Sequence, residues 1–223
     1  ERFTLLMKSK PSSKKKNQRN VWIVDESKCL RKSEVNKLKR FCLQLKIKGL
    51  QNKKFTAVRN WFMIELGLNT GLRVQEMASL KHFNLFLDEG RSSILFIGKG
   101  NKKRSVWLSS AFKKKCIHYL KFKSRFGFST DPDSCLLNNL KDEGISKRAL
   151  QKFFKILVKR AGLPGRYHIH NLRHTYTTFL LKASHYNYRF VQKQLGHASI
   201  TTTQVYAGVV ESEGRKAIEK IYK

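Results

Sequence analysis

Apolar residues recur at helical spacing at Val35, Leu38, Phe41/Cys42 and Leu45. Ser33 is placed to cap that helix and Gly49 to end it. Over residues 55–68 the apolar positions Val58, Trp61, Phe62, Ile64 and Leu66 cover most faces, which predicts a largely buried helix. Asn69-Thr70-Gly71 breaks it, and residues 72–80 start another. Between 82 and 109 the period changes. Residues 83–87, 93–97 and 104–108 are separated by turns at Asp88-Glu89-Gly90 and Gly98-Lys99-Gly100-Asn101, a pattern that predicts a three-stranded meander.

Helical spacing returns over 111–122, and Pro132 marks a loop. Ser146 is set to cap a helix with Leu150, Phe153, Phe154, Leu157 and Val158 inward, closed by Gly162 and Pro164. From His170 onward the chain reads as short helices, with a stop at Leu195-Gly196 and a charged tail over 211–223 whose apolar contacts are Ala217, Ile218 and Ile221. There are no internal repeats. The pattern predicts a mainly α fold with a small three-stranded antiparallel β-sheet.

The length of 223 residues allows one full domain with a sizeable core. Charge changes the picture most. Forty-seven Lys+Arg against 15 Asp+Glu gives a net +32, far beyond what solubility needs, and nucleic acid becomes the leading partner. A membrane surface is the weaker alternative, because no stretch is apolar enough to span a bilayer. Residues 8–20 are polar and basic, which suits a linker lying along a phosphate backbone or a merely solvated tail. Cys29, Cys42, Cys116 and Cys135 are scattered without a C-x-x-C pair and read as reduced thiols.

Several polar residues sit at breaks in this pattern. Arg73 follows Thr70-Gly71, where its guanidinium could fork onto two phosphate oxygens with Glu76 behind it; taken alone, the two read as a surface pair at helical spacing. Lys99 tips a Gly-Lys-Gly turn, as a mobile proton donor or as part of a basic hairpin, with Lys102, Lys103 and Arg104, against a DNA backbone. His168, His170 and His174 invite a metal reading, but metal-dependent phosphodiester cleavage relies on carboxylates that are scarce here. His170 and Arg173 fall three positions apart on one helix face if Leu172 opens a helix. A phenol such as Tyr206 has a pKa of about 10 and attacks only where cations stabilise its oxyanion. The case for function is therefore joint: a tyrosine, arginines, a lysine and histidines, each at a helix start, a turn or a glycine break.

In order and spacing, Thr70-Gly71-Leu72-Arg73-Val74-Gln75-Glu76, Gly98-Lys99-Gly100-Asn101-Lys102-Lys103, His170-Asn171-Leu172-Arg173-His174, Leu195-Gly196-His197 and Thr202-Thr203-Gln204-Val205-Tyr206 resemble the boxes of the tyrosine recombinase family, over about residues 30 to 210. The resemblance implies that Tyr206 attacks a DNA phosphate, giving a 3′-phosphotyrosyl bond and a free 5′-hydroxyl. Arg73 and Arg173 would clamp the non-bridging oxygens and His197 would add a hydrogen bond. His170 would assist proton loss from the tyrosine, Lys99 would protonate the leaving oxygen, and Glu76 would support. No metal, ATP or other cofactor is implied.

The chain departs from the family pattern at Asn84, where an acidic residue is common, at Asn171, where Asp is frequent, and in lacking a glycine between Leu180 and Leu195. The resemblance further implies that residues 1–29 are a basic linker and the remnant of a separate N-terminal core-binding domain. Residues 30–208 would be the catalytic domain and 209–223 a tail helix packed in cis or exchanged in trans. The expected partners are double-stranded DNA and three further copies in a homo-tetramer, with no membrane or small-molecule substrate. The expected location is cytoplasmic, at the nucleoid when DNA-bound. The expected role is integrase of a mobile element. The alternatives are a Xer-type dimer resolvase, a relative that relaxes supercoils, and a non-catalytic DNA-binding protein.

Overall fold

The computed structural model describes residues 28–88, 92–97 and 103–196. Its centre is α2 (Phe55–Thr70), buried at Phe55, Val58, Trp61, Phe62, Met63, Ile64 and Leu66, as its nearly all-round apolar pattern requires. Around it pack α1 (Lys32–Gln51), α4 (Ser110–Arg125), α5 (Lys147–Arg160) and α6 (His170–Ala183). The short α3 (Val74–Ser79) and α7 (Tyr188–Leu195) complete the helices among the described residues. Phe62 stacks on Tyr119 of α4 with ring centroids 3.9 Å apart, and the Tyr119 hydroxyl donates to the Leu136 carbonyl, which satisfies the phenol inside the core.

The predicted sheet is present. Strands β1 (Leu85–Phe86), β2 (Ser93–Ile97) and β3 (Lys103–Trp107) pair antiparallel in the order β1-β2-β3, with Ile94 opposite Val106 and both fully buried. The first strand is shorter than the pattern suggests because residues 82–84 form a 3-10 turn. Asn84 fixes that turn: its Oδ1 accepts from the Lys81 N–H at 2.9 Å and its Nδ2 donates to the Leu95 carbonyl at 2.9 Å. An aspartate at this position has no hydrogen to donate, so the amide is suited to bridging turn and strand.

Helix starts show where local chemistry decides. Ser146 caps α5 as predicted, its hydroxyl accepting from the Ala149 N–H at 3.2 Å. Ser33 does not cap α1, because Glu34 reaches back to the Arg31 N–H at 2.7 Å and starts the helix at Lys32. Likewise α3 starts at Val74 rather than Leu72, and α6 starts at His170 rather than Leu172. None of the four cysteines is in a disulfide; burial pushes Cys42 and Cys116 up to about 12. Among the described residues no helix is long and apolar enough to cross a membrane. Residues 1–27, which hold most of the predicted linker, and the predicted tail helix lie outside the described residues.

Candidate active site

The C-terminal end of α2 is where the candidate residues gather. Gly71 closes that helix in the left-handed conformation (φ 62°), its N–H bonded to the Gly67 carbonyl at 3.1 Å. A Cβ there would lie 2.5 Å from Tyr176 Cδ1 and 2.9 Å from Leu195 Cδ2, so only glycine lets α6 and α7 close onto this corner. Two residues later Arg73 enters α3 from an extended conformation. Its N–H donates to Glu76 Oε2 at 2.7 Å and its Nη1 donates to Glu76 Oε1 at 3.1 Å. The Arg73 side chain is 47% exposed.

Arg173 meets the same corner from α6, but buried. Its Nη1 donates to the Gly71 carbonyl at 2.5 Å and its Nη2 to the Leu195 carbonyl at 3.1 Å. These carbonyls stand at the C-terminal ends of α2 and α7, where intrahelical partners run out and the helix dipole is negative. One guanidinium thus binds the Thr70-Gly71 break to the Leu195-Gly196 stop.

His170 opens α6 at the edge of a cleft of about 560 Å³ lined also by Val74, Gln151, Lys152, Lys155 and His168. The protein packed around its ring, then the charges of Arg173 and Arg73, hold its pKa below the ordinary histidine value. A ring kept neutral beside two cations can accept a proton, as a general base must. His174, one turn on, packs edge-on against it with ring centroids 4.7 Å apart. Burial first, then His170, Lys28 and Arg173, push His174 down to about 4. His168 lines the cleft without joining that pair, and among the described residues no three His, Cys, Asp or Glu side chains gather as metal ligands would. Asn171 holds the box in place: its Oδ1 accepts from the His168 N–H and its Nδ2 donates to the Lys28 carbonyl, each at 2.5 Å. The second bond needs an amide hydrogen, which an aspartate lacks.

Arg104, grouped with Lys102 and Lys103 in the sequence as a DNA contact, turns inward. Its side chain is 16% exposed and its Nη1 donates to Glu76 Oε1 at 2.6 Å. Strand alternation carries the signal for this, since Arg104 lies on the same face of β3 as the buried Val106. Gln194 was not singled out from the sequence. Its amide accepts from the Trp107 N–H at 3.1 Å and donates to the Trp107 carbonyl at 2.8 Å, covering the open edge of β3 as a further strand would. Lys99, Lys102, His197 and Tyr206 lie outside the described residues, as does the side chain of Lys103. Structure therefore brings together Arg73, Glu76, His170 and Arg173 from the expected catalytic and supporting set, with Arg104, expected as a DNA contact, turned toward Glu76 beside them.

A mainly helical domain with a three-stranded antiparallel sheet and two arginines converging on one helix end is the class of protein this geometry defines. Residues 28–213 match the model of the phage integrase family. The chain is 37% identical over 164 residues to the tyrosine recombinase XerC of Caldanaerobacter subterraneus subsp. tengcongensis, covering 73% of this chain and 44% of that protein. It is 36% identical over 165 residues to the XerC of Lactobacillus leichmannii, covering 73% and 55% respectively. The chain spans about half the length of these relatives. Among solved structures it is similar to the XerH site-specific recombinase bound to its difH substrate before cleavage, with TM-score 0.66 and 27% identity over 88% of this chain and 53% of that one. It is also similar to the XerA recombinase, with TM-score 0.67 and 25% identity over 87% and 63%. The chain belongs to the phage integrase family, and its fold is that of a tyrosine recombinase catalytic domain.

Proposed function

We propose that this chain carries the active site of a site-specific DNA recombinase, which cuts and rejoins strands through a covalent 3′-phosphotyrosyl link on Tyr206. The observation that carries the reading is the α2 corner. There Arg73 and Arg173 stand two residues and one hydrogen bond from Gly71, and both shift the pKa of His170. In this reading the two guanidiniums bind the non-bridging oxygens of the attacked phosphate and offset the negative charge that grows in the transition state. His170, neutral at pH 7, takes the phenol proton, and His197 adds a hydrogen bond to the phosphate. Lys99 protonates the departing 5′-oxygen, so the released strand ends in a hydroxyl. The phosphotyrosyl bond retains the energy of the broken phosphodiester, and rejoining needs no ATP. Lys152 and Lys155 beside the His170 cleft, with Lys102 and Lys103, supply backbone contacts to double-stranded DNA.

Two biological roles fit this chemistry. The residue boxes led to the expectation of a mobile-element integrase acting as a homo-tetramer. The 36–37% identity to proteins named XerC favours the second reading, resolution of DNA dimers.

The chemical claim is tested with suicide duplexes from a randomised-site pool, incubated with the full-length protein in EDTA, selecting protein–DNA adducts. Wild type captures duplexes through a 3′ linkage, and Tyr206→Phe captures none while still shifting DNA in a gel. Capture by Tyr206→Phe, or none from any pool with wild type, refutes the assignment. A plasmid with two copies of the recovered site then separates the roles, since a resolvase splits it and an integrase instead joins separate molecules.

A further inference from the structure

Glu76 creates a difficulty for a phosphate clamp. Its carboxylate receives both the backbone N–H and the Nη1 of Arg73, and a guanidinium paired with a lone carboxylate surrenders both charge and donors to it. Arg104 stands on the other side. Its Nη1 lies 2.6 Å from Glu76 Oε1, closer than the 3.1 Å of Arg73 to that same oxygen. The site is built to keep it there. The Arg104 stem fills the space over Gly196, where a Cβ would collide with its Cδ, and its guanidinium lies 5.4 Å from the Phe96 ring centre. Its Nε and Nη2 are buried and find no acceptor among the described residues.

We propose that Arg104 is a positioning residue for strand cleavage: it takes up the charge of Glu76, so that Glu76 orients Arg73 without cancelling it. The assignment rests on the recombinase reading above. Two guanidiniums around one carboxylate leave a net positive charge at the α3 start. With Arg104 removed the count falls to zero, and Arg73 closes onto Glu76 instead of reaching for phosphate. The carboxylate is ionised in this setting: burial raises its pKa, but Arg104 and the Arg73 backbone and side chain outweigh that and leave it lowered.

The test compares Arg104→Met, which keeps the stem over Gly196 and drops the charge, with Arg104→Lys, Glu76→Gln and the double variant Arg104→Met/Glu76→Gln. Covalent trapping on a suicide duplex gives the rate, and DNA affinity is measured against salt. Arg104→Met traps roughly tenfold more slowly, the effect of about 1.4 kcal/mol lost from transition-state binding. Its salt slope stays at the wild-type value, whereas loss of a phosphate contact lowers that slope by about 1. The double variant recovers to within about threefold of wild type, because the anion that captured Arg73 is gone. Arg104→Lys traps faster than Arg104→Met even where thermal melting shows both equally destabilised. Wild-type trapping by Arg104→Met, a salt slope lowered by one, or a loss that Glu76→Gln does not relieve overturns the assignment. A wild-type protein that never traps overturns the recombinase reading itself, while one that traps alongside an equally fast Arg104→Met overturns only the role of Arg104.

Discussion

Arg73 and Arg173 belong to one proposed clamp, yet the protein holds them by opposite means. Arg173 is 5% exposed and bonded to two neutral carbonyls at helix C-termini, which orient it and stabilise its charge without annulling it. Arg73 is half exposed and oriented by a carboxylate, which would annul its charge but for a second arginine on the same oxygen. The difference teaches that a reactive cation can be fixed either by dipoles or by a shared anion. The dipole arrangement binds three chain segments together, so it also belongs to the core. The shared-anion arrangement leaves the guanidinium half exposed, where a phosphate can compete for it.

The largest effect expected from breaking this contrast is on the buried side. Arg173→Met strips the Gly71 and Leu195 carbonyls of their donors, at about 1–3 kcal/mol for each buried group left unpaired. The melting midpoint falls by roughly 6–18 °C and covalent trapping disappears with it. A midpoint within 2 °C of wild type would show that Arg173 does not tie the corner together.

Arg73→Met is expected to separate the two properties. The N–H of residue 73 still donates to Glu76, so the start of α3 survives, and an exposed pair contributes at most about 1 kcal/mol. The midpoint moves by no more than about 3 °C, while trapping slows by 10²–10³, the usual scale for losing one transition-state donor. A midpoint loss as large as that of Arg173→Met would erase the distinction between the two arginines.

The sequence made the skeleton of this arrangement legible and hid its wiring. The helices of α2 and α5 follow from apolar spacing, and Ser146 from its place one residue before a periodic stretch, because burial and capping are local in the chain. Whether Ser33 or Glu34 organises the start of α1 is a competition between two nearby side chains, and spacing alone does not decide it. Arg73 and Arg173 stood out at breaks in the pattern, but their modes of attachment depend on contacts 102 and 22 residues apart in sequence for Arg173 alone. The same holds for Arg104: three basic residues in a row suggested a DNA-facing hairpin, although strand alternation already set Arg104 on the face of Val106. Gln194 could not be read at all, since an amide in a helix gives no sign that a strand edge lies beside it.

The smallest expected effect concerns what lies behind Arg173 on its own helix. His174 is held neutral, its pKa pushed down to about 4 by burial and then by His170, Lys28 and Arg173, and its Nδ1 is buried with no partner among the described residues. An unfolded histidine takes up a proton near pH 6.5, and the folded one does not until about 4. Acid therefore favours the unfolded chain: the full stability is present above pH 6.5 and is lost as pH falls toward 4, levelling off below. The slope is at most about 1.4 kcal/mol per pH unit, and roughly half that once the partial exposure of the ring is counted, or about 2 °C of melting midpoint per unit. His174→Gln removes the titration and leaves the rest of the corner in place. Melting at pH 7.5 and pH 5.0 should then show a smaller acid loss for the variant than for wild type, by about 3 °C. Equal losses would mean that burial and the charges around α6 do not hold His174 neutral.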